Sequence, residues 1–158
     1  MVKNSFMMNL LKIIPFIIIL FLFSGCDQTE TAADEDLKIE FGSVCSWCTG
    51  EEFITVTSSQ ISYYRNIPCG DDKGMTRKSR VISASEWNEI ISSFNIEAFK
   101  KLNYNTCNVC ADGCDEIIRI TENGNLHEIR YSPSDEIEET KKLEQFLAEI
   151  LDEMRDSD

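Results

Sequence analysis

Six cysteines constrain this chain more than any other feature of its sequence. They are the six that follow Cys26, namely Cys45, Cys48, Cys69, Cys107, Cys110 and Cys114. They form two groups of three, and each group contains a Cys-x-x-Cys pair. The fold has to accommodate this sulfur, as disulfides in an oxidising compartment or as a metal site in a reducing one.

The N-terminus distinguishes between these two compartments. Lys3 and Lys12 are the only charged residues among the first 25, and residues 13–23 form an apolar run that ends in Ser24-Gly25. This layout is typical of a secretory signal peptide. The apolar run is shorter than the roughly 20 residues of a membrane-spanning helix, although an uncleaved signal anchor is the alternative. We therefore expect residues 1–25 to be a signal peptide and the remainder to be exported.

The end of this segment, Phe23-Ser24-Gly25-Cys26, resembles the lipobox of bacterial lipoproteins. The resemblance implies that Cys26 becomes the lipid-modified N-terminal residue of the mature protein. Two or three acyl chains on one cysteine give firm anchoring, whereas a single chain gives only marginal binding. The implied location is the bacterial cell envelope, with the domain in the periplasm or at the cell surface. The choice between the inner and the outer membrane stays open.

Residues 26–40 are predicted to be the lipidated cysteine and an acidic flexible tether. Positions 27–36 carry five acids and no aromatic or large aliphatic residue, too little apolar surface to offset the entropy of ordering. Without residues 1–25, the chain has 13 basic and 28 acidic residues, a formal charge of −15. This acidity argues against nucleic-acid binding, because phosphates have to be neutralised by Lys and Arg.

An even number of cysteines in a small exported domain predicts a disulfide framework, with 15 connectivities open. Because each half of the domain has three cysteines, at least one bridge must join the two halves if all six are oxidised. That bridge would close a loop of about 40 residues or more and would contribute about 4 kcal/mol in the chain-entropy model.

Two functional alternatives use the same cysteines. Cys45, Cys48, Cys107 and Cys110 offer four thiolates for a tetrahedral zinc ion. Their two pairs are separated by 58 residues, far more than in usual zinc ribbons. Cys45 and Cys48 could instead exchange disulfides, although they precede a strand and acids rather than open a helix. No cofactor is expected, and zinc is the alternative.

The folded part, residues 41–158, is predicted to be a single α+β domain stabilised by disulfides. Residues 52–57 and 61–65 form a β-hairpin, and Ser83-Ala84-Ser85-Glu86 fits a capping box that begins a helix. Residues 116–121 and 126–131 form a second hairpin around Asn123-Gly124, and a last helix begins at residues 132–135.

The two hairpin–helix units resemble each other. The pattern acid–apolar–apolar–polar–apolar–Thr occurs at residues 52–57 and again at residues 116–121. Either one ββα unit was duplicated, or two separate units obey the same strand pattern. Both explanations predict a ββα-ββα fold, with a four-stranded, mainly antiparallel sheet and helices on one face.

The sequence contains no catalytic motif that rises above chance. The single histidine, His127, lies on a predicted strand, and no nucleophile-elbow motif is present. Asp112-Gly113 lacks the alternating ligands of a known calcium loop. In a chain with 28 acids, adjacent acids are expected by chance and favour a solvated surface; the pairs are Glu51-Glu52, Asp71-Asp72 and Asp115-Glu116.

These observations favour a binding protein over an enzyme. Helices on one face would leave the other face of the sheet free for a protein partner, and aromatic residues are enriched in such contacts. The candidates are Trp47, Tyr63, Tyr64 and Tyr131. We expect a lipid-anchored, non-enzymatic binding or assembly module. The alternatives are an inhibitor or accessory subunit of an envelope hydrolase and a zinc-stabilised domain.

Overall fold

A computed structural model describes residues 37–157 of the chain. It contains six β-strands, three α-helices and one 3-10 helix. In chain order these are β1 (Leu37–Cys45), β2 (Gly50–Val56), β3 (Gln60–Ile67), β4 (Gly74–Val81), α1 (Ala84–Ser92), α2 (Ile96–Phe99), the 3-10 helix (Asn108–Ala111), β5 (Cys114–Glu122), β6 (Asn125–Tyr131) and α3 (Lys141–Asp156).

The strands form one antiparallel sheet in the order β4-β3-β2-β1-β5-β6. The first four strands are joined by consecutive hairpins, and β5 then pairs with the free side of β1. The prediction of an α+β fold with an antiparallel sheet is therefore confirmed. The sheet has six strands rather than four, and the ββα repeat is not confirmed.

Two strands account for this difference. β1 begins at Leu37, so residues 37–40 belong to the sheet and not to the predicted tether. Their alternation of apolar and charged residues is typical of a half-buried strand. β4 lies between the predicted first hairpin and the predicted helix, where the sequence shows no strand pattern because this edge strand buries almost nothing. Residues 26–36 lie outside the described residues.

Strand alternation places the core on one face of the sheet. Phe41, Ile54 and Ile118 lie side by side on the neighbouring strands β1, β2 and β5 and are buried. The helices cover this face with buried side chains that pack against those of the strands; they are Trp87, Ile90, Phe99, Leu143, Leu147, Ile150, Leu151 and Met154. The opposite face, which we call the open face, carries none of the three α-helices, and the 3-10 helix lies against it at Asp115.

Local sequence signals explain where these elements begin and end. Ser83 Oγ accepts a hydrogen bond from Glu86 N at 3.2 Å, as the predicted cap of α1 requires. Asn123 and Gly124 both have positive φ and form the two-residue turn between β5 and β6. The last helix begins at Lys141 rather than at residues 132–135, which form a turn closed by Asp135 on the amide of Ser132.

Candidate binding site at the disulfide-bridged end of the sheet

All six cysteines of the domain form disulfides in the structure. The bridges are Cys45–Cys114, Cys48–Cys69 and Cys107–Cys110. They lie at one end of the sheet, in the β1–β2 turn, the β3–β4 loop and the segment before β5, and we call this region the bridged end. Cys45–Cys114 links the two halves of the domain across paired strands, as the odd number of cysteines in each half requires.

The disulfide pairing distributes the cysteines of the alternative zinc and redox sites over different bridges. Cys45 and Cys48 are each bonded to a cysteine outside the proposed zinc set, and they are not bonded to each other. The four cysteines therefore do not form one set of thiolates. Between residues 37 and 157, no group of three or more His, Cys, Asp or Glu side chains is arranged to hold a metal ion.

The β1–β2 turn presents an exposed tryptophan. Trp47 has a positive φ of 55° and a side chain that is 78% exposed. Its indole Nε1 donates a hydrogen bond to Asp112 Oδ1, and the amide of Ser46 donates to Gly113 O at 3.1 Å. The cysteines on both sides of the turn, Cys45 and Cys48, are bridged to other parts of the chain. The turn is therefore held at both of its ends, while most of the indole faces solvent.

A buried carboxylate fixes the segment next to this turn. Asp115 is fully buried at the start of β5. It accepts hydrogen bonds from Asn108 N at 2.8 Å, Val109 N at 3.3 Å, Thr106 Oγ1 at 3.0 Å and Arg130 Nε at 2.9 Å. Burial raises the pKa of Asp115, and these four donors outweigh burial and hold that pKa below its usual range. The carboxylate therefore stays ionised and pins residues 106–109 to the sheet.

The bridged end also carries two further exposed apolar side chains. Met75 lies near the start of β4, and Tyr104 lies beside Arg130 of β6, whose amide donates to Tyr104 O at 2.9 Å. Val81 and Leu126 are the exposed large apolar residues at the opposite end of the sheet. Exposed aromatic residues and methionine are enriched at protein interfaces. The bridged end therefore combines exposed side chains of the kind found at protein interfaces with a backbone that is cross-linked by disulfides.

The predicted aromatic face does not assemble. Tyr63 and Tyr131 are buried on the helix-covered face, whereas Tyr64 lies on the open face. Tyr64 OH donates to Glu51 at 3.0 Å, and the guanidinium of Arg77 lies 5.5 Å from its ring centroid. Strand alternation had already required Tyr63 and Tyr64 to point in opposite directions. Of the four predicted aromatic residues, Trp47 is the one that projects from the domain.

Other candidate catalytic residues have structural partners. His127 Nε2 lies 3.0 Å from Leu102 O, and its ring packs edge-on against Phe99 at 5.2 Å. In each acid pair on a strand, the two side chains point to opposite faces of the sheet. Asp115 faces the open side, whereas Glu116 is half-buried under the helices, where burial and the charge of Glu144 raise its pKa.

Glu52 serves to dock α3 on the sheet. Its carboxylate accepts two hydrogen bonds from Arg155, at 2.9 and 2.7 Å, and one from Tyr63 OH at 2.5 Å. Burial raises the pKa of Glu52, and the bonds from Arg155 and Tyr63 bring it below its ordinary value. Burial and the bond to Glu52 raise the pKa of Tyr63 to about 12. This ionised carboxylate is therefore a structural group.

The β3–β4 hairpin is basic although the whole chain is acidic. Residues 60–81 contain five cations and two acids. Lys78 donates to Arg155 O at 3.0 Å, and Arg80 binds Glu86 at 2.6 Å, so these two cations help to hold the helices. Two shallow hollows of about 380 and 340 Å³ lie along this hairpin and include Arg77 and Lys73 in their linings. The hairpin is a second exposed surface of distinct charge.

Comparison with known proteins does not assign the chain to a group. No protein-family model matches the sequence, and none of the curated proteins is significantly similar to it. Within residues 37–157, none of the helices has both the length and the apolar character needed to cross a membrane. Cys26, the predicted lipidation site, lies outside the described residues.

Proposed function

We propose that this protein is a lipid-anchored, non-enzymatic binding module of the bacterial envelope that contacts a protein partner through its bridged end. The observation that carries the proposal is the exposed Trp47 in a turn held between two disulfides. The signal-like N-terminus and the resemblance around Cys26 support export and anchoring. The structural partners of His127, Glu52 and Asp115 support a binding role rather than catalysis.

Trp47 has the properties of an interface anchor. Tryptophan is over-represented among residues that dominate binding energy, because one side chain buries about 150–250 Å². Burial of that area is worth about 4–6 kcal/mol at 25 cal/mol per Å². A flexible loop would lose much of this binding free energy to the entropy cost of becoming ordered, but the two bridges already restrict the turn. The arrangement therefore favours tight binding by a small surface.

Site-specific crosslinking in cells tests this role. A photoreactive phenylalanine analogue replaces Trp47 in the full-length chain, and a matched variant carries it at Leu126, which is exposed at the other end of the sheet. We expect one discrete crosslinked protein from position 47 and none from position 126. The unlabelled full chain should compete with this product, and a Trp47→Ala chain should compete at least tenfold more weakly. Equal crosslinking at both positions, or equal competition by both chains, would contradict the proposal.

A second candidate function is inhibition of an envelope hydrolase. A projecting side chain on a cross-linked turn is suited to insertion into an active-site cleft, because pre-organisation lowers the cost of binding. Assays of muramidases and peptidases with the full chain would show dose-dependent inhibition that Trp47→Ala abolishes. A crosslinked partner that is not a hydrolase, together with no inhibition in this panel, would exclude the inhibitor and leave the binding module.

A further inference from the structure

The Cys107–Cys110 bridge differs from the other two bridges. It closes a separation of three residues, whereas Cys48–Cys69 and Cys45–Cys114 span 21 and 69 residues. Both Cys107 and Cys110 are exposed, and both lie outside the strands. Cys45 and Cys114 are half-buried and sit opposite each other in the β1–β5 ladder, and in the third bridge Cys48 is exposed while Cys69 is half-buried. Attack by an external thiolate requires access to sulfur, so the short bridge is the most open to exchange.

The segment that carries this bridge is held in place by other contacts. Asp115 binds the amides of Asn108 and Val109, and Thr106 N donates to Arg130 O at 2.9 Å. Gly113 N donates to Asn108 O at 2.9 Å and closes the far side of the turn. None of these bonds involves sulfur. Reduction would therefore leave the two thiols close together, and the bridge could form again without refolding.

We propose that Cys107–Cys110 is a redox-active disulfide, while Cys45–Cys114 and Cys48–Cys69 remain structural. Its reaction partner is a dithiol protein of the envelope. One thiolate of the partner attacks a sulfur of the bridge, the S–S bond breaks, and the other cysteine leaves as a thiolate. The second thiolate of the partner then attacks the mixed disulfide. Two electrons and two protons pass to Cys107 and Cys110, and the partner becomes the disulfide.

The redox-active bridge is connected to the exposed turn. Asp112, which follows the 3-10 helix between the two cysteines and β5, accepts the hydrogen bond of Trp47 Nε1. Gly113 O accepts the bond from the amide of Ser46. These two hydrogen bonds place the 107–110 bridge directly beside the β1–β2 turn. The redox assignment itself does not depend on the proposed binding function.

Equilibration in glutathione buffers tests the assignment. The full chain, purified oxidised in detergent, is incubated with a series of ratios of reduced to oxidised glutathione, alkylated under acid quench and mapped by peptide mass. We expect Cys107 and Cys110 to be alkylated at a ratio at least tenfold less reducing than the other four cysteines require. Reduction of all three bridges together, or of Cys107–Cys110 last, would overturn the proposal.

An enzyme-coupled assay distinguishes disulfide exchange with a dithiol protein from mere sensitivity of the bridge to a small thiol reductant. A thioredoxin-class protein and its reductase should oxidise one equivalent of NADPH per chain of the wild type. A Cys107→Ser/Cys110→Ser variant should consume none, and a Cys48→Ser/Cys69→Ser variant should still consume one. No consumption by the wild type, or equal consumption by the Cys107→Ser/Cys110→Ser variant, would refute the redox assignment.

Discussion

At the scale of single residues, Asp115 determines the geometry of the bridged end. The amino-acid pattern does not single it out, because Asp115 is one of 28 acids and belongs only to the adjacent pair Asp115-Glu116. Its role depends on burial and on donors contributed from residues 106–130, which a local pattern does not reveal. Trp47 was a candidate from the sequence, but its exposure follows from the positions of the bridges.

Asp115→Asn should destabilise the domain by about 3 kcal/mol at pH 7, because the variant leaves Arg130 without its carboxylate and turns an amide N–H toward donors. The lowered pKa of Asp115 means that its stabilisation is complete above its unfolded-state pKa and is lost as the pH falls through the lower folded-state value. The difference between wild type and variant should therefore be large at pH 7 and much smaller at pH 2. Urea unfolding at both pH values measures it.

Asp112→Asn is the matched control for this measurement, because Asp112 is exposed in the same segment. It should change the unfolding midpoint little at either pH. A loss of stability in Asp115→Asn that stays constant from pH 7 to pH 2 would show that the charge of Asp115 is not what stabilises the segment.

At the scale of elements, a strong local sequence signal predicts the helix or strand correctly, whereas a weak signal does not. The cap of α1, the β2–β3 hairpin and the Asn123-Gly124 turn are all recognisable from sequence. β4 is not, because an edge strand packs on one neighbour and needs no apolar alternation. β1 shows the alternation in residues 37–41, but it follows directly after an acidic segment.

The cations of β4 should protect this exposed edge from pairing with another chain. Exposed strand edges offer unpaired N–H and C=O groups, and charged side chains suppress edge-to-edge association. Arg77 stacks on Tyr64 and has an exposed side chain, so it is the cation to remove. Arg77→Val should lower the concentration at which the protein self-associates by about tenfold or more, as measured by sedimentation velocity.

Arg119→Val provides the comparison, since Arg119 lies on the same open face but in β5, which is paired on both sides. This variant loses the 2.6 Å bond to Glu128 and the contact with the Phe53 ring. It should lose some stability without gaining self-association. Equal self-association of both variants would indicate nonspecific hydrophobic association through the open face rather than pairing of strand edges.

At the scale of the whole molecule, the cysteine count predicted one feature of the topology. Three cysteines in each half required a bridge between the halves, and Cys45–Cys114 supplies it. Parity could not choose among the 15 connectivities, because the choice depends on β5 returning to pair with β1. The same pairing explains why a repeat is not confirmed, since the first half has four strands and the second has two.

The three bridges should contribute to stability in the order of the loops they close. In the chain-entropy model, separations of 69, 21 and 3 residues correspond to about 4, 3 and 1.5 kcal/mol. Replacing each pair by alanines in turn and measuring urea unfolding of the oxidised proteins gives the three values. Cys45→Ala/Cys114→Ala should lose most, because this bridge alone restrains the pairing of β1 with β5 directly, and Cys107→Ala/Cys110→Ala should lose least. If the 107–110 pair proved as costly to remove as the 45–114 pair, loop length would not set the contributions, and the short bridge would be a main support of the fold.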